Sequence, residues 1–167
     1  MERRRFTSSA VAGLLAGPLL AAKASAQGNA SGPGIALLER LVAAVNAHDV
    51  SKFDEIYAAG ANYVNHQTLV AAPSGIPARE AFKSYITQRI AAFPDLTMRI
   101  EVPVESGDLV AANLIWSGTQ RGPYLGVPAT NKHVAWNSTD ILRVKDGRFS
   151  DHWGAVDFYG LLGQLRA

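Results

Sequence analysis

The 167-residue chain contains no cysteine, which excludes disulfides and thiolate chemistry. Its histidines, His48, His66, His133 and His152, are scattered, without the close ligand spacing of a metal site. Charge is sparse: 18% of residues are charged, giving a formal net of +2, so no strongly basic face asks for nucleic acid. Long apolar runs are also missing, since the apolar stretch near the N-terminus falls short of the ~20 residues that span a bilayer. No stable membrane span is expected.

What is present starts with a leader. "MERRRFTSSAVAGLLAGPLLAAKASAQG" joins a basic head, a Gly- and Ala-rich apolar run and an A-x-A site at Ala24-Ser25-Ala26. This reads as a signal peptide over residues 1–26, to be set apart from the fold. Arg3-Arg4-Arg5-Phe6 matches the twin-arginine pattern, with an ordinary secretory signal as the alternative, and a periplasmic location is expected. Of the 16 basic and 14 acidic residues, the leader takes Arg3, Arg4, Arg5, Lys23 and Glu2, leaving 12 and 13. The remaining chain is therefore close to neutral. At roughly 141 residues it suits one domain with one core.

Residues 27–34, "QGNASGPG", read as a linker. From Ile35, Leu38, Leu41, Val42 and Val45 recur at helical spacing. Ser51 with Asp54 reads as a capping box for a second short helix. "ANYVNHQTL" suits an extended piece, and "AREAFKSYITQRIAAF" places Phe82, Ile86, Ile90 and Phe93 on one stripe before Pro94 stops the helix. Beyond Pro94 the pattern alternates through about four strands with turns at Gly107-Asp108 and Asp146-Gly147, and a tail that docks, Asp157 capping it. Helices at one end of an antiparallel sheet define an α+β fold, with residues 35–167 as the domain.

The segments "YVNH", "AFPDLTMRIE", "SGTQRGPYLGVPATNKHV" and "DILRVKDGRFSDHWGAVDFYGLLGQL" together resemble the SnoaL-like polyketide cyclase (ester cyclase) family from about Ile35 to Leu165. The resemblance implies the conical α+β barrel of the nuclear transport factor 2-like superfamily, a curved antiparallel sheet wrapped around N-terminal helices. It also implies an intramolecular aldol closure without metal or organic cofactor, run by an acid/base aspartate with a histidine near it and an asparagine lining the pocket. Matched by position, the asparagine falls on Asn65, the histidine on Asp140 and the acid/base aspartate on Gly154. The family's "GTH" reads Gly118-Thr119-Gln120, and its "PTG" reads Ala129-Thr130-Asn131. A homodimer is the superfamily's common state, with Trp153 as the residue to look for at its interface.

Two registers are open for the hairpin at Asp146-Gly147. A two-residue loop sets Asp140 opposite Trp153; a three-residue loop with a bulge sets Val144 opposite Arg148 and Asp140 opposite His152. The family match favours the second, which gathers Trp136, Ser138, Asp140, Leu142, His152, Gly154 and Val156 on one face. Asp140 and His152 are then expected as a general acid/base pair in an apolar cavity, the carboxylate fixing the imidazole's tautomer; the plainer alternative is a structural cross-strand pair. Asn65, His66, Trp136 and Tyr124 are the substrate-binding candidates. Asn65 and His66 are adjacent, so a regular strand turns only one of them inward. The expected function is cofactor-independent acid/base chemistry on a small hydrophobic carbonyl compound by aldol closure, enolisation or isomerisation. A small-molecule binding module and a dimeric interaction domain are the alternatives.

Overall fold

A computed structural model describes residues 32–67 and 73–167; the expected leader and nearly all of the expected linker lie outside them. Helix α1, Pro33–Asn46, starts two residues before the expected Ile35, so the linker yields Pro33 and Gly34 to the helix. Proline suits this place because it brings no N–H to an end where the first amides lack partners. Two of those amides, Gly34 and Ile35, donate to the Glu105 carboxylate at 3.0 and 2.9 Å, which also places negative charge at the positive end of the helix. At the other end the Asn46 side chain accepts the Met98 N–H and donates to the Met98 carbonyl, at 2.7 and 3.0 Å. Leu37, Leu38, Leu41, Ala44 and Val45 enter the core, whereas Val42 is only partly buried.

The capping box expected from Ser51 and Asp54 does not form. Asp49 instead accepts the Ser51 N–H at 3.1 Å, opening a 3-10 turn, Val50–Lys52, that runs into α2, Phe53–Ile56. A carboxylate is the stronger acceptor for a free turn amide than a hydroxyl. Helix α3, Ala78–Ala92, turns Phe82, Ile86, Arg89 and Ala92 inward, with Phe93 buried just beyond it. Ile90, expected on this stripe, is only partly buried. Arg89 holds the inward place.

The sheet consists of β1 (Val64–Asn65), β2 (Thr97–Ser106), β3 (Leu109–Thr119), β4 (His133–Lys145) and β5 (Arg148–Val156). Their order is β1-β5-β4-β3-β2, so the two edges do not meet and the curved sheet stays unclosed. The four long strands pair antiparallel, and β1, the described strand within the expected extended piece, lies parallel to β5. Strand β4 and most of β3 bury every second residue, which makes one face the floor of the core under the helices. Helix α4, Phe158–Arg166, is capped by Asp157 as expected, the Gly160 N–H donating to its Oδ1 at 2.8 Å. Leu161 and Leu165 dock it.

Neither expected register holds along the whole β4–β5 hairpin. Asp146 and Gly147 both take positive φ, 51° and 71°, the conformation of a two-residue type I′ turn, and Lys145 faces Arg148. Ser150 is then an extra residue: Val144 pairs with Phe149 and Arg143 with Asp151. This bulge sets Asp140 opposite Gly154 and Leu142 opposite His152. The expected inward set survives because the pairing differs from the three-residue register by two, and the side-chain period is two. Trp153, opposite Ile141, faces outward in a row with Ala111 and Val104. Among the described residues no helix is long and apolar enough to cross a membrane.

Candidate active site

The floor of the core is apolar except where the Ser150 bulge aims β5 at β4. There His152 Nε2 and Asp140 Oδ1 stand 2.8 Å apart, with the two residues only 4% and 5% exposed. A pair this deep loses little to solvent screening. Around the carboxylate, Ser138 Oγ donates to Oδ2 at 2.6 Å and Gln67 Nε2 to Oδ1 at 3.3 Å. Trp116 Nε1 donates to Ser138 Oγ at 3.0 Å. The other imidazole nitrogen, Nδ1, lies 3.3 Å from the Tyr63 hydroxyl. Burial, and after it the Asp140 charge, pushes the Tyr63 phenol up, so Tyr63 is the proton donor to Nδ1. Nε2 then carries the imidazole proton toward Asp140.

Gly154 makes this closure possible. A Cβ at that position would lie 2.3 Å from both Asp140 Oδ1 and Gln67 Nε2. Where the family resemblance places an aspartate, this chain has filled the space with the carboxylate of Asp140 and the amide of Gln67, arriving from the neighbouring strand and from the segment after β1.

The cavity beside the pair is walled by Phe53, Tyr57, Phe82, Ile86, Leu114 and Trp116 among others, and measures about 30 Å³. That is far below the ~300–1,000 Å³ of a typical ligand pocket, so a substrate must displace wall side chains to seat. Phe82 meets the His152 ring edge to face, centroids 5.3 Å apart. The Tyr57 hydroxyl is buried without a partner among the described residues, and burial, then the neighbouring Tyr63 and Asp140, holds its phenol well above the usual range. It is therefore a protonated donor that no described residue engages. A wider, open groove of about 700 Å³ runs outside past Arg79, Arg143 and Arg148 and does not contain the pair. Among the described residues no three His, Asp or Glu side chains are grouped to hold a metal ion.

The other sequence candidates fall elsewhere. Asn65 misses this cavity: its Oδ1 accepts the Gln67 N–H at 3.0 Å, closing a local turn where β1 ends after two residues. His66 lies outside, 3.2 Å from Asp151 and stacked on Trp153 at 4.5 Å. Trp136 is inward and 3% exposed, but it sits behind Trp116, the rings parallel within 7° at 6.3 Å. Tyr124, in the long loop, is buried against Phe93 and accepts Arg89 Nε–H at 3.0 Å. Gln120, at the family's "GTH" histidine, clasps the loop through Thr130 and the Val127 carbonyl. The sequence reading missed Gln67, Tyr57, Tyr63 and Arg89. Arg89 left a signal, a charge four positions before Phe93 and three after Ile86 on an apolar stripe.

An open, curved α+β sheet with helices over its inner face, and a buried His152–Asp140 pair on its floor, define a nuclear transport factor 2-like cavity protein. The model of the SnoaL-like polyketide cyclase family matches residues 35–165, and the chain belongs to that family. It is 28% identical over 135 residues to aklanonic acid methyl ester cyclase DnrD of Streptomyces peucetius, covering 78% of this chain and 89% of the relative. It is 31% identical over 87 residues to the nogalonic acid methyl ester cyclase of Streptomyces nogalater, covering 52% of this chain and 65% of the relative. Among solved structures, TsrD from Streptomyces laurentii is similar with a TM-score of 0.70 and 28% identity, covering 80% of this chain and 94% of that one. Wild-type IdmH from Streptomyces antibioticus is similar with a TM-score of 0.70 and 28% identity, covering 82% and 100%.

Proposed function

We propose that the protein closes a ring in a small, largely hydrophobic carbonyl compound by intramolecular aldol addition, with His152 and Asp140 as the acid/base pair. The observation that carries this reading is the 2.8 Å contact between Nε2 and Oδ1 inside an apolar cavity. The relatives' names, both methyl ester cyclases, support cyclisation over mere binding.

The 3.3 Å Tyr63 contact is the weaker of the two imidazole contacts, so Nδ1 is the position a substrate can take over. Nδ1 accepts the proton from the carbon beside a carbonyl; the C–H pair moves to form an enolate, and Asp140 stabilises the imidazolium through Nε2–H. Tyr57 O–H, partnerless in the cavity wall, donates to the enolate oxygen. The enolate carbon bonds to a second carbonyl carbon of the same molecule, and Nδ1 returns the proton to the new alkoxide. No atom is gained or lost.

The test offers aklanonic acid methyl ester, nogalonic acid methyl ester and a panel of smaller aryl diketones, following ring closure by chromatography and α-deuterium uptake by NMR. Asp140→Asn and His152→Ala should each slow the reaction by about 10²–10⁴-fold, the usual weight of general acid/base catalysis, while far-UV spectra stay unchanged. Undiminished rates in both variants would remove the pair from the mechanism.

A further inference from the structure

Arg89 is 2% exposed and belongs to the wall of the same cavity as His152 and Asp140. Its guanidinium lies over the Trp116 ring at 4.5 Å and the Tyr85 ring at 4.6 Å. It donates through Nε to the Tyr124 hydroxyl at 3.0 Å and through Nη2 to the Tyr85 hydroxyl. Burial pushes the Tyr85 phenol above its ordinary value despite the adjacent cation, so that hydroxyl brings no counter-charge. Among the described residues no carboxylate lies within ion-pair distance of Arg89. Residues 1–31 and 68–72 bring only one acid in sequence, Glu2.

A buried charge without a counter-charge is costly, and proteins keep such groups paired or ligated. Asp140 does not serve, because its oxygens already receive His152, Gln67 and Ser138. Those contacts hand the carboxylate's charge to the acid/base end of the cavity. Phenols and indole faces offset part of the guanidinium's cost but leave three of its five N–H donors without a partner among the described residues. The cavity therefore has two polar ends, a His152–Asp140 pair and an unneutralised guanidinium, with the Trp116 ring between them.

We propose that Arg89 is a carboxylate-binding subsite, so that this protein takes the free acid of its carbonyl substrate rather than an ester. The inference rests on the reading of this cavity as the substrate site. A planar guanidinium presents paired donors that match a carboxylate and gain nothing comparable from a neutral ester. It also sets the pose: the acid end is held against Trp116 and Tyr85, and the ketone end is left at His152 and Tyr57.

The test titrates the folded protein with a series of aryl and alkyl carboxylic acids, each against its own methyl ester, by ligand-observed NMR and calorimetry. Aklanonic acid and its methyl ester are included. Each pair needs the same widening of the cavity, so the acid-to-ester ratio isolates the charge. At least one acid is expected to bind ten-fold or more tightly than its ester; a series in which no acid out-binds its ester, by equal affinity, ester preference or no binding, overturns the subsite. Arg89→Gln should erase the preference, Arg89→Lys should keep part of it, and His152→Asn should leave it in place. Preference lost with His152→Asn but kept with Arg89→Gln would assign the anion to the imidazole and also overturn the proposal. Should Arg89→Gln fail to fold, the wild-type ratio and the lysine variant still decide. Ring closure that depends on Asp140 but shows no acid preference would sink this subsite and leave the acid/base reading standing.

Discussion

At Gly154 a missing side chain is what lets two others meet. An alanine Cβ there would press on Asp140 Oδ1 and Gln67 Nε2, both at 2.3 Å. Overpacking of this kind costs about 1–3 kcal/mol, against the ~0.4–1 kcal/mol that Gly→Ala returns by restricting the unfolded chain. Gly154→Ala should therefore lower the urea midpoint without changing the slope and weaken the Gln67 contact first. A midpoint equal to the native one would show that the Gln67 amide yields freely. The residue scale is also where the sequence was least complete. His152 and Asp140 were legible because period-two alternation survives an even displacement of register. Gln67 was not, because it lies beyond a two-residue strand where no periodicity says which way a side chain turns. Arg89 was visible in the helical stripe, but a charge on an apolar face reads as an interruption unless the partners that bury it are known.

The elements were legible wherever apolar spacing is strong: α1, α3 and the alternating strands all lie where period 3.6 or period 2 places them. The Ser150 bulge was not, since an extra residue leaves no mark in a sequence whose turn is already a regular two-residue one. Joints between elements rest on side chains such as Asp95, which takes the Thr119 N–H at 2.6 Å and its hydroxyl at 2.7 Å, tying the approach to β2 onto the end of β3. The Thr119 amide first, then its hydroxyl, hold the Asp95 carboxyl below its usual range. Its folded pKa lies under the unfolded value of about 3.9, so its contribution is complete above that pH and fades as pH falls through the lower folded value. Denaturation midpoints for the native protein and Asp95→Ala should differ near neutrality and converge in acid. A gap that stays constant on acidification would mean that the carboxylate charge is not what fastens this joint.

For the molecule as a whole, the leader read over residues 1–26 leads us to propose export. Intact-mass analysis of the protein from a periplasmic fraction should find chains beginning at Gln27, and replacing Arg3, Arg4 and Arg5 with lysine should stop their appearance if the twin-arginine route is used. Full-length chains confined to the cytoplasm would end that proposal. Such a route accepts a protein only after it has folded. The straps on α1 then set a timetable for that folding. Glu105 holds the first amides of the helix and Met98 grips its last turn, so the segment following the leader docks onto a strand roughly 50 to 70 residues further along the chain. During synthesis α1 can meet α2 early, but both of its straps stay open until β2 has emerged, so on the export reading the leader is joined to an unfinished body until then. A short waiting period is thus written into the connectivity: the helix beside the proposed leader is made early, yet its two ends are fastened only after β2, more than halfway along the chain.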